Sequence, residues 1–268
     1  MPAPDDPHEA DRRGRRVANG RPSPGSLLTV CAHPDDESFG LGAVVTAFTG
    51  AGADVAGLCL THGEASTLHG VAGDLRDLRR EELAAAAGIL GMQHVTLLSF
   101  PDGRLDEIPI EELAATVAGH ARLAGAEALL AFDEGGITGH LDHRRATEVA
   151  MSAAAALDLP VLAWVIPERV AQTLNAELGT SFRGRDPDEV DAVLRVDRRR
   201  QLRAIACHRS QSIGNPVLWR RLELLGDAEA VRWLRRPPAP GKRLDVPAFS
   251  LLPPALDPFS QAATRGGG

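Results

Sequence analysis

His33, Asp35, Asp36 and Glu37 stand together in the stretch Ala32-His-Pro-Asp-Asp-Glu37, directly behind the apolar run Leu27 to Cys31. Imidazole and carboxylate groups packed this closely can ligate a metal, move a proton, or both. The carboxyl end of a buried strand is also where open α/β sheets collect their ligands. A second cluster, Gly139-His-Leu-Asp-His143, follows another apolar segment, Ala128 to Phe132. Histidine and aspartate at two strand ends predict one shared metal site rather than two unrelated turns.

The elements that must position these residues are legible as alternating patterns. Apolar runs predict strands over 27–32, 54–60, 94–99, 128–132 and 161–166, and helices over 41–50, 75–90, 110–124, 143–157 and 197–207. Pro109 ahead of Glu111 and Glu112 marks a helix start with acids at the positive dipole end, and Gly91 after Leu90 marks a stop. Such alternation implies parallel strands joined by right-handed crossovers. The expected fold is therefore α/β, a three-layer Rossmann-like sandwich with a mostly parallel sheet and the metal site at the C-terminal ends of its strands. Gly40-x-Gly42 lacks a third glycine and comes after His-Pro-Asp-Asp-Glu instead of directly after the strand. That argues against a dinucleotide-binding turn and against an oxidoreductase.

With 268 residues the chain can bury one large core. Its net charge of −7 removes a general nucleic-acid footprint. The arginines between Arg195 and Arg203 read as a solvated helix face. Cys31, Cys59 and Cys207 are scattered and odd in number, so neither a disulfide framework nor a cysteine zinc site is expected. Residues 1–25, charged and without the apolar core of a signal peptide, read as a disordered extension. Residues 26–235 form the domain. Residues 236–268 form a Pro/Gly-rich tail whose Phe249, Leu251, Leu252 and Phe259 are apolar enough to dock. No run is long enough to span a membrane; the cytoplasm is the expected location, and a homo-oligomer is left open.

Six motifs occur in order: Ala32-His-Pro-Asp-Asp-Glu37, Thr61-x-Gly63-Glu64, Arg79-x-x-Glu82-Leu83, Pro101-Asp-Gly-Arg-Leu105, His140-x-Asp-His143 and His208-x-Ser-Gln211. Together they resemble the PIG-L/LmbE-like family of zinc-dependent N-acetylglucosaminyl deacetylases, over about residues 26 to 215. Leu141 stands where the family often has proline, a difference in the turn. The resemblance implies a hydrolase that removes an N-acetyl group from a small-molecule amino-sugar conjugate.

His33, Asp36 and His143 are the expected metal ligands. Two imidazoles and one carboxylate with a fourth position open make the composition of a catalytic zinc site. Iron(II) also suits such a set and is the second choice. The resemblance assigns Asp35 as general base and His140 as acid or oxyanion partner. Asp142 would orient a histidine, cap the following helix, or both. Arg79 matches the family's substrate-contacting arginine. Glu64 could hold Arg79 or a sugar hydroxyl. Asp102 could bind sugar, although Asp-Gly is also an ordinary turn. His62 and His69 lie in a rim loop, and His208 reads as a supporting or structural element. The chain has no tyrosine, and Thr138 is the nearest hydroxyl in the second cluster's loop. Rival readings are an amidase acting on a thiol conjugate or a glycopeptide-type natural product, and a non-catalytic metal-dependent sugar-binding module. Asp35 and His140 together favour a hydrolase, because a binding module has no use for a base and an acid beside an open metal.

Overall fold

A computed structural model describes residues 25–67 and 75–237. The expectations for the N-terminal extension, the C-terminal tail and His69 fall outside the described residues. In chain order the elements are β1 (Ser26–Cys31), α1 (Asp36–Phe39), α2 (Gly42–Gly50), β2 (Asp54–Thr61), α3 (Leu75–Leu90), β3 (His94–Phe100) and α4 (Ile110–Leu123). They continue with β4 (Ala128–Phe132), α5 (Leu141–Leu157), β5 (Val161–Val165), α6 (Glu168–Leu178), β6 (Ala192–Arg195), α7 (Arg199–Ile205), α8 (Pro216–Leu225) and β7 (Ala228–Arg235). Short helical turns lie at Gly136–Gly139 and Arg209–Ser212.

The sheet order is β3-β2-β1-β4-β5-β7-β6. β1 to β5 run parallel, while β7 is antiparallel to both β5 and β6. Helices on both sides give β1, β2, β4 and β5 two buried faces, and this explains their near-continuous apolar runs. Leu27 and Cys31 pack on one side with Val44, Phe48 and Leu83 from α2 and α3. Leu28 and Val30 pack on the other side with Leu113, Val117 and Val149 from α4 and α5. The fold is thus a mixed, mostly parallel α/β sandwich.

The strand order reverses between β1 and β4, which are direct neighbours. A crevice opens at such a switch point because the two following connections leave toward opposite sides. The metal-capable clusters of the sequence follow those two strands. This topology is what brings residues so distant in the chain into one site.

The predicted elements are present with small boundary shifts. Helix 143–157 starts earlier, at Leu141, because His140 caps it. Helix 197–207 contracts to Arg199–Ile205. Sequence patterning did not reveal α6, α8, β6 or β7. β6 is only four residues long. β7 carries buried Glu229, 1% exposed, in a position where patterning expects an apolar residue. The Arg195–Arg203 run is only partly solvated: Arg198 donates to Glu229 and to the Ala228 carbonyl, and Arg200 to the Ile89 carbonyl.

Candidate metal centre and active site

The turn leaving β1 folds back on itself. Asp36 Oδ2 accepts from the backbone N–H groups of Ala32 and His33, each at 3.0 Å. This fixes the carboxylate beneath His33 and aims Oδ1 at His143 Nε2, 3.1 Å away. His33 Nδ1 lies 3.1 Å from His143 Nε2 and 3.9 Å from Asp36 Oδ2. The donor atoms of this set all lie within 4.8 Å of one another.

Each histidine is held from behind. His33 Nε2 faces Asp102 Oδ1 at 3.0 Å and Asp142 Oδ2 at 3.3 Å. His143 Nδ1 lies 3.1 Å from the Gly136 carbonyl. With Nε2–H of His33 and Nδ1–H of His143 donated outward, the lone pairs of the facing nitrogens point at each other and at Asp36. That arrangement is repulsive unless a proton or a cation lies among them. Burial works against charge on His33, but its hydrogen bonds to Asp102 and Asp142 and the charge of Asp36 outweigh it and raise its pKa to about 10. For Asp36 burial is likewise outweighed, here by His143 and then His33, and its carboxyl falls well below the usual range. The surroundings therefore demand positive charge at this point. Donor spacings of 3.1 and 3.9 Å also bracket the roughly 3.4 Å expected between tetrahedral ligands on ~2.1 Å bonds. A small divalent cation fits this set.

Asp35 adopts φ 132°, a left-handed value that strains any side chain larger than glycine's. It is held there from both ends. Its N–H donates to Glu37 Oε2 at 2.9 Å, and its carboxylate pairs with Arg79 Nη2 at 2.8 Å. Burial raises the Asp35 carboxyl to about 6, with Arg79 pulling the other way. Arg79 is buried, and it also donates to the carbonyls of Gly63 and Pro34. Gly63 has φ +64°, and a Cβ there would come within 1.9 Å of the Arg79 guanidinium, so only glycine lets this carbonyl approach.

The remaining candidates are placed as follows. Asp102 faces His33 and also accepts from the Ala65 N–H at 2.7 Å. Glu64 pairs with Arg76 at 2.5 Å and not with Arg79. Asp142 does not cap α5. His140 does, its Nδ1 accepting from the Asp142 N–H at 3.2 Å. Asp142 instead accepts from the N–H groups of Gly103 and Leu105 while it faces His33. Burial, then the charges of His33 and His143, lower the His140 pKa. His140 and Asp35 both line a cavity of about 420 Å³ that opens from the metal corner. Thr138 Oγ1 reaches His143 Nδ1 at 3.4 Å.

The His208 motif ties this machinery to two neighbouring helices, α1 and α3. His208 Nε2 meets Glu37 Oε1 at 2.7 Å, and Ser210 donates to Glu82 through its N–H at 2.9 Å and its hydroxyl at 2.7 Å. Sequence reasoning missed Glu37 as the residue that supports Asp35. It also missed the cavity's apolar wall, including Phe39, Phe132 and Trp164, and Arg221 at its far end. For Arg221 a signal existed: it shares the buried stripe of α8 with Leu218, Leu222 and Leu225.

Similarity to known proteins runs through the stretch that carries both clusters. The PIG-L family model, described as GlcNAc-PI de-N-acetylase, matches residues 28–154. A 1D-myo-inositol 2-acetamido-2-deoxy-alpha-D-glucopyranoside deacetylase of Nakamurella multipartita is 33% identical, over 55% of this chain and 59% of its own. A deacetylase of the same name from a Nocardioides species is 32% identical over 60% of this chain and 70% of its own. The chain spans about half the length of the first curated relatives it matches. A solved deacetylase of the teicoplanin biosynthesis pathway superposes with a TM-score of 0.62 at 20% identity, covering 80% of this chain and all of the other, and this shows the fold alone. The family match begins in β1, ends in α5 and so encloses both metal-capable clusters: the chain belongs to the PIG-L family.

Proposed function

We propose that this protein is a metal-dependent hydrolase that removes the N-acetyl group from a small molecule containing N-acetylglucosamine. The observation that carries the reading is the convergence of His33 Nδ1, His143 Nε2 and the Asp36 carboxylate in one cavity corner, with Asp35 beside them. His33, Asp36 and His143 would hold zinc, with iron(II) the second choice. When bound, such a cation supplies Lewis acidity, polarising the acyl oxygen and making water a stronger acid.

Asp35 is the base. Arg79 and Glu37 fix it, so its carboxylate needs no reorganisation to take a proton from the attacking water. The water oxygen bonds to the acyl carbon, the C–N bond breaks, and the proton held by Asp35 passes to the leaving amine. Acetate and a free amino group result. His140 acts as a neutral donor and not as an acid. Its Nδ1 is occupied as an acceptor, which leaves Nε2–H to stabilise the oxyanion of the tetrahedral intermediate. Arg79 positions the base, and Asp102 and Asp142 fix the tautomer of His33.

The test is a panel of N-acetylglucosamine conjugates incubated with the zinc-loaded protein and assayed for released acetate. Release from at least one conjugate, lost in His143→Ala, is the expected outcome. A fully loaded protein that liberates acetate from none of them would sink the reading.

A further inference from the structure

The cavity is larger and more apolar than an acetyl group requires, and its far end holds a charge. From the metal corner one wall runs as a series of stacked groups. The Phe132 ring meets His143 edge-on at 5.0 Å, Trp164 lies 5.4 Å from Phe132, and the Arg221 guanidinium sits 5.1 Å over Trp164. Phe39 and Leu218 pack together beside Arg221, and Phe182 lines the same cavity. Arg221 is only 7% exposed.

This guanidinium is under-used. Its hydrogen bond with the described residues runs from Nη2 to the Phe39 carbonyl at 2.7 Å, and Nε is buried with no partner. No carboxylate of the described residues lies within ion-pair distance of it. Glu229, the acid that acts on it most strongly, is itself engaged by Trp164 Nε1 at 2.6 Å and by Arg198. Burial lowers its pKa only to about 10, so it carries its charge at neutral pH. A buried cation without a counter-ion is costly, and a carboxylate brought by a ligand relieves that cost through charge-assisted hydrogen bonds. A singly charged carboxylate suits this place better than a phosphate. Asp35 and Asp36 are near enough to act on Arg221, and they would repel a dianion.

We propose that Arg221 is a specificity-determining residue that seats a carboxylate of the substrate at the apolar end of the cavity; this rests on the deacylase reading above. The carboxylate can come from the aglycone or from the acyl group. The net charge of −7 opposes anionic substrates in general, so any preference for one must come from a local cation.

Two matched pairs separate the sources. The first compares the N-acetylglucosaminides of 4-hydroxybenzoate and of phenol; the second compares N-succinylglucosamine with N-butyrylglucosamine. In the zinc-loaded wild type, kcat/KM of the charged member should exceed that of its neutral match by about 10- to 100-fold in one pair, which identifies the source. That ratio should collapse toward one in Arg221→Met and survive in part in Arg221→Lys. A wild-type ratio of one or less in both pairs overturns the proposal even where Arg221→Met fails to fold, and so does a ratio unchanged in a folded Arg221→Met. If the wild type cleaves no member of either pair, the panel of conjugates above decides whether the deacylase reading falls. Thermal shifts then decide the seat: a charged member must raise the wild-type Tm more than its neutral match does, and equal shifts overturn this proposal too.

Discussion

At the scale of single residues, Asp35 concentrates the cost of the site. Its backbone is strained, its carboxylate is buried, and two other side chains, Glu37 and Arg79, are spent on keeping it in place. Strain held so deliberately beside a metal set points to chemistry. Asp35→Asn keeps the shape and cannot accept a proton. It should retain the metal and lose about 10²–10⁴-fold in kcat. Steady-state kinetics on a cleaved conjugate, together with metal analysis of the same sample, checks this; wild-type kcat would reduce Asp35 to a turn residue. The metal-capable residues were legible in the sequence because each cluster is contiguous. The partners were not. Asp102 reaches His33, and Arg79 reaches Asp35, only through the way β2, β3 and α3 stack beside β1, and spacing along the chain carries no record of that.

At the scale of elements, the stretch after α7 acts as a clasp. His208 and Glu37 are both buried, and their contact ties the Arg209–Ser212 turn to α1, whose first residues carry the site. Burial would lower the His208 pKa, but the Glu37 carboxylate outweighs it and raises it. The sign follows. A histidine whose folded pKa lies above its unfolded value of about 6.5 contributes stability that is fully present below 6.5 and fades as pH rises through the folded pKa. His208→Gln keeps a donor and loses the charge, so it should cost about 1–3 kcal/mol near pH 5.5, with a smaller deficit at pH 9. Paired urea denaturations at several pH values measure this, and a deficit constant with pH would mean that His208 is neutral in the fold. Of the five parallel strands, β1, β2, β4 and β5 could be read because both their faces are buried, the half-buried β3 because its run is apolar, and their helices because their apolar periodicity is regular. β6 and β7 could not, since a four-residue edge strand and a strand with an inward carboxylate leave no such pattern.

At the scale of the whole molecule, the candidate metal centre stands where two halves of the sheet meet. Asp36 and His33 belong to the turn after β1 and His143 to the start of α5 after β4, so a cation held by all three bridges the connections that diverge at the switch point. The hydrophobic layers on either side of the sheet reach this corner through Phe132 and Ala32, but none of the three polar side chains is part of them. Removing the ion should therefore leave the fold intact and lower its stability by the binding free energy alone. At a free metal concentration 100 times Kd that contribution is about 2.7 kcal/mol. For a domain of this size each kcal/mol moves Tm by roughly 2–4 °C, so chelation should lower Tm by about 5–10 °C with the far-UV circular dichroism unchanged at 25 °C. Metal analysis should give one divalent ion per chain in the wild type and near none in His33→Ala or His143→Ala. Those variants should also show no Tm difference between zinc and chelator. A His33→Ala protein that still carried a full equivalent of zinc, with the same zinc-dependent rise in Tm, would move the metal away from the switch point and take the proposed reaction with it.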